Sequence, residues 1–122
     1  MDYPSDRRSR LRIVVGSDVT IRFRVQKFEY LNIRITNLST DGCFATLPRS
    51  RNNPFRQGLL LEGFQFEHPD LAGEPIVAKV AYVLGADGGG RGGLEILGLG
   101  IHFHSMTPAN TEMLLQFVEA RA

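Results

Sequence analysis

Four arginines crowd the start of this 122-residue chain, in the stretch RRSRLRIVV, at positions 7, 8, 10 and 12. An arginine side chain carries a permanent charge and a planar fork of donors, which can bind a phosphate or a purine edge through two hydrogen bonds. Residues 1–34 hold eight basic and four acidic side chains, a net charge of +4, whereas the rest of the chain carries −3. The near-neutral total of +1 therefore conceals a basic front, which indicates a local anionic partner.

A second polar group, the stretch NLSTDG, interrupts an apolar alternation and contains Asn37, Ser39 and Gly42. Asn37 and Ser39 are two positions apart, so they share a face wherever the backbone is extended. Asp41-Gly42 is typical of a turn. Taken alone, this group is an ordinary turn between strands, and the arginines are an ordinary solubilising tail.

The other residues that could do chemistry lack partners. His102 and His104 are spaced like two metal ligands on one strand face, but no third ligand is visible in the sequence, so we expect no metal or other cofactor. Gly88, Gly90 and Gly93 match a dinucleotide fingerprint formally, yet a strand pattern follows them where that site needs a helix N-terminus. No nucleophile stands beside a base at a known motif spacing, so we expect a protein that is not an enzyme.

The positions of the apolar residues predict a mainly β fold. Alternation from Val19 to Val25, repeated at Leu31, Ile33 and Ile35, predicts two half-buried strands. Thr107 and Pro108 are a typical helix start, and the spacing changes to a helical one after them. Further strands are predicted at about 44–47, 58–67, 75–84 and 97–103. About six strands and one helix indicate a small antiparallel six-stranded β-barrel with a C-terminal α-helix.

Length and composition predict a single domain. We assign residues 1–12 to a flexible basic arm and residues 13–122 to the barrel with its helix. No apolar stretch approaches the roughly 20 residues of a membrane helix, and no signal segment follows the first arginines, so we expect a cytoplasmic protein without membrane insertion. The single Cys43 agrees with a reducing compartment and is interpreted as a small core residue.

In order and spacing, Arg8-x-x-x-Arg12 followed 25 residues later by Asn37-x-Ser39-x-x-Gly42 resembles the signature of the PilZ domain family. Members of that family include receptors for the bacterial second messenger cyclic di-GMP. The segment GLGIHFHSMTPANTEMLLQFVE is similar to the family's last strand and helix. The resemblance thus covers the chain from about residue 7 to residue 119 and implies a PilZ-like barrel.

The resemblance also implies a role for each motif residue toward cyclic di-GMP. Arg8 and Arg12 would grip guanine and phosphate, and Arg7 would add a contact that favours two stacked ligand molecules. Asn37 and Ser39 would face a guanine edge, and Gly42 would allow a tight turn beside the ligand. Many members have aspartate where this chain has Asn37, and an uncharged amide is the weaker acceptor for guanine.

These features predict a stand-alone cyclic di-GMP receptor, without an attached output domain, that transmits the signal to an unidentified protein partner. The resemblance implies control of motility, surface attachment or exopolysaccharide production. An alternative is a PilZ-like adaptor that binds proteins without nucleotide and regulates motility or cell polarity. General binding to a nucleic acid polymer is disfavoured, since the chain lacks interleaved aromatic residues and a broad basic face.

Overall fold

Seven antiparallel strands and one α-helix are present in the computed structural model, which describes residues 11–48, 53–85 and 96–122. A short 3₁₀ helix, Pro69–Leu71, follows the fifth strand, and the α-helix α1 spans Pro108–Arg121. The strands are β1 Ile13–Val14, β2 Thr20–Val25, β3 Phe28–Leu38, β4 Gly42–Pro48, β5 Leu60–Glu67, β6 Ile76–Leu84 and β7 Ile96–Ser105.

Six of these strands close into a barrel. The hydrogen-bonded order is β3-β2-β5-β6-β7-β4, and β4 pairs again with β3 to complete the ring. β1 adds to β3 at Ile13↔Leu38 and Val14↔Asn37, beyond the part of β3 that pairs with β2. The predicted six-stranded antiparallel barrel with a C-terminal helix is therefore confirmed, with one extra two-residue strand that is too short to show a period in the sequence.

The alternation predicted for β2 is correct, because Val19, Ile21, Phe23 and Val25 are all buried. They face a core that contains the Phe23–Phe64 ring pair, 6.4 Å apart between centroids. Burying one such phenyl ring stabilises the fold by about 2–3 kcal/mol. The barrel wall is thus built by the period-two pattern that the sequence displays.

The interpretation of Leu31 was wrong. Ile33 and Ile35 are buried as expected, but Leu31 is 53% exposed. The cause is a β-bulge, since β2 pairs Ile21 with Ile33 but Phe23 with Tyr30, which gives β3 one extra residue. Asn32 lies in that extra stretch at φ 55°. The bulge shifts the alternation by one position and turns Leu31 to the outside.

Helix α1 closes the end of the barrel near the β5–β6 connection. Thr107 caps it by accepting a hydrogen bond from the Asn110 N–H, and Pro108 occupies the first turn, as predicted. Its buried face carries Leu114, Phe117 and Val118. Asn110 is also buried, and its amide donates to the Glu74 carbonyl at 2.6 Å, which ties the helix to the connection.

Within the described residues, no helix is long and apolar enough to cross a lipid bilayer. Two predictions lie partly or wholly outside those residues: the basic arm, residues 1–12, with Arg7 and Arg8, and the glycine motif from Gly88 to Gly93.

Candidate ligand-binding site

The two halves of the sequence motif meet at one place on the barrel. β1 pairs Val14 with Asn37, so the segment that precedes β1 arrives beside the end of β3. Arg12 Nη1 donates a hydrogen bond to Asn37 Oδ1 at 2.5 Å, across 25 residues of sequence. This hydrogen bond holds the guanidinium group of Arg12 in position. Arg12 is also exposed, so the group stays accessible to solvent and to a ligand.

Ser39 organises the turn that follows β3. Its hydroxyl group donates to Asp41 Oδ1 at 2.6 Å and accepts a hydrogen bond from the Asp41 N–H at 3.3 Å. The Ser39 N–H donates to the Gly42 carbonyl at 2.9 Å, which closes the turn. Ser39 is only 1% exposed, so its hydroxyl group orients the Asp41 carboxylate and does not project from the surface.

Gly42 lets this turn lie directly on β7. Gly42 stands opposite His102 in the β4–β7 register, and a Cβ atom at position 42 would overlap the backbone carbonyl oxygen of Ile101. One residue further on, the Phe103 N–H donates to the Asp41 carbonyl at 2.9 Å. The glycine is therefore needed for close approach between two backbones.

An aromatic shelf, formed by Phe44 and Tyr82, lies on the outer wall beside the turn. Their ring centroids are 6.2 Å apart, with an interplanar angle of 30°. Each ring covers a glycine of β7, since a Cβ at Gly98 would run into Phe44 and one at Gly100 would run into Tyr82. Tyr82 is still 49% exposed, so part of its ring can receive a flat ligand.

An open cleft of about 160 Å³ joins these features, and Arg12, Asp41, Tyr82 and His102 line it. It offers a cation, a carboxylate, a flat ring and an imidazole within one small area. Cys43 lies below, and burial raises the pKa of its thiol, with the nearby Arg12 charge acting in the opposite direction. The thiol is thus a neutral core group, as predicted. The polar groups of the cleft, in contrast, can bind phosphate and base edges.

Of the six predicted binding residues, the structure brings Arg12, Asn37 and Gly42 together and places Ser39 beneath them. Arg7 and Arg8 lie outside the described residues. His102 and His104 have ring centroids 6.4 Å apart, and the described ranges contain no group of three or more potential metal ligands.

Asp41, Tyr82 and His102 also line the cleft and were not predicted from the sequence as binding residues. Asp41 could have been found from the sequence, because it immediately precedes the motif residue Gly42 and must therefore lie beside the motif. Tyr82 had no such signal, since the pairing Tyr82↔Gly100 depends on a register shift in β6–β7 between Val80 and Tyr82. Such a shift leaves no trace in the period of the sequence.

Comparison with known families decides the identity of this barrel. The sequence profile described as PilZ domain matches residues 6–120. The chain belongs to the PilZ domain family. No match was found among curated proteins.

Solved structures from two bacteria are similar to this chain. K. pneumonia MrkH aligns with a TM-score of 0.75 at 16% identity, covering 93% of this chain and 48% of the MrkH chain. The PilZ domain with c-di-GMP of YcgR from Escherichia coli aligns with a TM-score of 0.64 at 13% identity, covering 90% of this chain and 87% of that domain. A second MrkH structure is a c-di-GMP complex, with a TM-score of 0.71 at 14% identity, and covers 89% of this chain. This PilZ chain thus spans about half the length of MrkH.

Proposed function

We propose that this PilZ domain is a receptor for cyclic di-GMP and that the cleft at Arg12 is its binding site. The observation that carries the proposal is the Arg12–Asn37 hydrogen bond, which joins the two halves of the family motif at an open cleft. Two of the structures that share its fold contain c-di-GMP, which supports the same ligand class here.

The ligand's chemistry suits the groups in the cleft. Cyclic di-GMP carries two phosphodiester charges and two guanine bases, so a receptor needs a cation, acceptors for guanine N–H groups and a flat surface. Arg12 supplies the cation, and the Asp41 carboxylate, oriented by Ser39, is an acceptor for guanine. The exposed part of Tyr82 supplies the flat surface, and stacking a base on an aromatic ring contributes about 1–3 kcal/mol.

Arg7 and Arg8 extend this site in the proposal, on the strength of the family resemblance. Arg8 shares the motif with Arg12, and Arg7 favours a second ligand molecule stacked on the first. We therefore expect two cyclic di-GMP molecules per chain. A titration that saturates at one molecule per chain would contradict the stacked pair and leave the receptor in place.

The proposed output is a signal passed to a protein partner in the cytoplasm, without a chemical step on the ligand. Control of motility, surface attachment or exopolysaccharide production is the setting that the resemblance suggests. The competing function is a nucleotide-free PilZ adaptor. Two exposed apolar residues at one hairpin favour it, Phe28 at 68% and Leu31 at 53% exposure, because exposed apolar side chains can contact a protein partner. Replacing Arg8 and Arg12 by alanine separates the two functions, because an adaptor would keep its partner.

The deciding experiment is calorimetric titration of the full chain with cyclic di-GMP. Removing a charged hydrogen-bonding partner costs about 1.5–3 kcal/mol, so Arg12→Ala is expected to weaken binding by about ten- to a hundredfold. Arg22→Ala is the matched control, because Arg22 is also exposed but bonds to Gln65 on another part of the wall. If the unmodified protein shows neither binding heat nor a rise in melting temperature, the receptor proposal is wrong.

A further inference from the structure

His102 is the only histidine among the described residues that line the cleft. Imidazole is the side chain that gains or loses a proton between about pH 5 and pH 8. His102 is exposed on the outer wall, and it lines the cleft together with Arg12. Nothing in the family motif, which ends at Gly42, refers to this position.

The fold holds His102 firmly beside the motif turn. It stands opposite Gly42 on β4 and opposite Lys79 on β6. The next residue, Phe103, donates its N–H to the Asp41 carbonyl, so the backbone on either side of His102 is anchored to the turn. A ligand that contacts Arg12 and the Gly42 turn therefore lies within reach of the His102 ring.

The charged groups around His102 determine how protonation of its imidazole would affect the binding of an anionic ligand. An acidic group, Asp41, lies on the turn, and the ring of His104 is 6.4 Å away between centroids. A protonated imidazole would offset the Asp41 carboxylate and make the cleft more attractive to a phosphodiester anion. The charged or titratable groups facing this position from the neighbouring elements are Arg12 before β1, Asp41 on the turn, Lys79 and Tyr82 on β6, and His104 on β7.

We propose that His102 is an additional ligand-binding residue, and that its protonation makes cyclic dinucleotide binding tighter as the pH falls. This inference rests on the proposed function and adds to it a residue and a pH response. By linkage, if the ligand binds more tightly when His102 is protonated, then ligand binding is accompanied by proton uptake. The phosphodiester groups and the guanine bases of the ligand do not titrate in this range, so the proton is taken up by the protein.

The test is a titration of the full chain with cyclic di-GMP at about pH 6 and about pH 8. One added charge at an exposed site is worth a modest amount, so wild-type affinity is expected to be about fivefold higher at the lower pH. Repeating the titration in buffers with different ionisation enthalpies measures the proton uptake directly. We expect uptake of a fraction of a proton per chain.

Three variants complete the design. His102→Gln keeps hydrogen-bonding groups but cannot titrate, so its affinity is expected to be equal at both pH values and below the wild-type value at the lower pH. His102→Lys carries a permanent charge and should bind tightly at both. His104→Gln is the matched control, since His104 is exposed on the same strand but does not line the cleft, and it should retain the wild-type pH response.

The outcomes separate this inference from the receptor proposal. Wild-type binding that does not change with pH, or a pH response that survives in His102→Gln, overturns the role of His102 while the receptor stands. Absence of binding at both pH values overturns both. Melting curves of each variant without ligand check that the substitutions, all on an exposed side chain, leave the fold intact.

Discussion

Arg12 and Asn37 hold each other in position before any ligand arrives. The hydrogen bond from Arg12 Nη1 to Asn37 Oδ1 fixes one end of a long side chain that would otherwise sample many rotamers. Ligand binding then costs less conformational entropy at Arg12, which is the general benefit of a preorganised site. In the proposed receptor, Asn37 would thus act on the ligand through Arg12 as well as by direct contact.

This pairing predicts different effects for two substitutions at one position. Asn37→Ala removes the acceptor for Arg12, and the loss of one hydrogen bond, about 1 kcal/mol, should weaken cyclic di-GMP binding about fivefold. Asn37→Asp keeps an acceptor for Arg12 and adds a stronger one for guanine, so it should bind at least as tightly as wild type. Titration of both variants against wild type measures this difference. Equal affinity of Asn37→Ala and wild type would show that the Arg12–Asn37 contact has no part in binding.

The family resemblance implied that Arg12, Asn37 and Gly42 belong to one site, and the structure brings these residues close together beside the end of β3. The resemblance did not indicate that the Ser39 hydroxyl group is committed to Asp41, since burial of a side chain at a turn depends on what packs over it. For Tyr82 the limit is register, because its partner Gly100 is defined only after β6 and β7 have paired. The residue types of the motif could be recognised in the sequence, whereas the pairing of distant strands could not be predicted from it.

At the scale of elements, the site depends on how closely β4 lies against β7. These strands pair continuously from Gly42↔His102 to Pro48↔Ile96, and Gly42 begins the ladder where the backbones come closest. The period-two alternation of a regularly paired strand appears directly in the sequence, so such strands were predicted well. Where a bulge intervenes, as at Asn32, the period shifts, and Leu31 was assigned to the wrong face.

Gly42→Ala should therefore destabilise the fold as well as the site. The new Cβ would overlap the Ile101 carbonyl oxygen, and a backbone atom can move away only if the β4–β7 ladder opens. We expect the free energy of unfolding to fall by about 2 kcal/mol, measured by urea denaturation monitored by circular dichroism.

Gly16→Ala is the matched control for this substitution. A Cβ at Gly16 would meet only Asp18 Oδ1 at 3.7 Å, an ordinary van der Waals distance. Its unfolding midpoint should stay within experimental error of the wild-type midpoint or rise slightly, since alanine restricts the unfolded chain. Equal stability of the two alanine variants would mean that the close approach at Gly42 is not needed.

At the scale of the whole molecule, the C-terminal helix is joined to the barrel by a charged clamp formed by Asp18, His68 and Arg121. Arg121, in the last turn of α1, donates to Asp18 Oδ2 at 3.0 Å, and its guanidinium carbon lies 4.2 Å from the centre of the Phe117 ring. His68 Nε2 lies 3.6 Å from the same carboxylate oxygen. The clamp therefore connects the β1–β2 connection, the residue before the 3₁₀ helix and the end of the chain through one acidic side chain.

The clamp predicts how the stability of the protein responds to acid. The hydrogen bond from Arg121 is the main reason why the pKa of Asp18 is lowered from its ordinary value of 3.8. A carboxyl group with a lowered pKa in the folded state contributes stability above its unfolded pKa, and this contribution is lost as the pH falls through the folded value. Asp18→Asn should thus lower the melting temperature at neutral pH, and the difference from wild type should shrink below about pH 4 as wild-type Asp18 becomes protonated.

Glu29→Gln is the control for the charge change itself, because Glu29 is also exposed but lies opposite Arg24 at the β2–β3 hairpin, at the other end of β2 from Asp18. The effect of Asp18→Asn at neutral pH should exceed that of Glu29→Gln, since only the former removes the partner of Arg121. Asp18 is exposed, so the difference should be small and should decrease at high salt, where exposed ion pairs are screened. A difference between wild type and Asp18→Asn that stays constant from neutral to strongly acidic pH would mean that the carboxylate charge does not hold the helix.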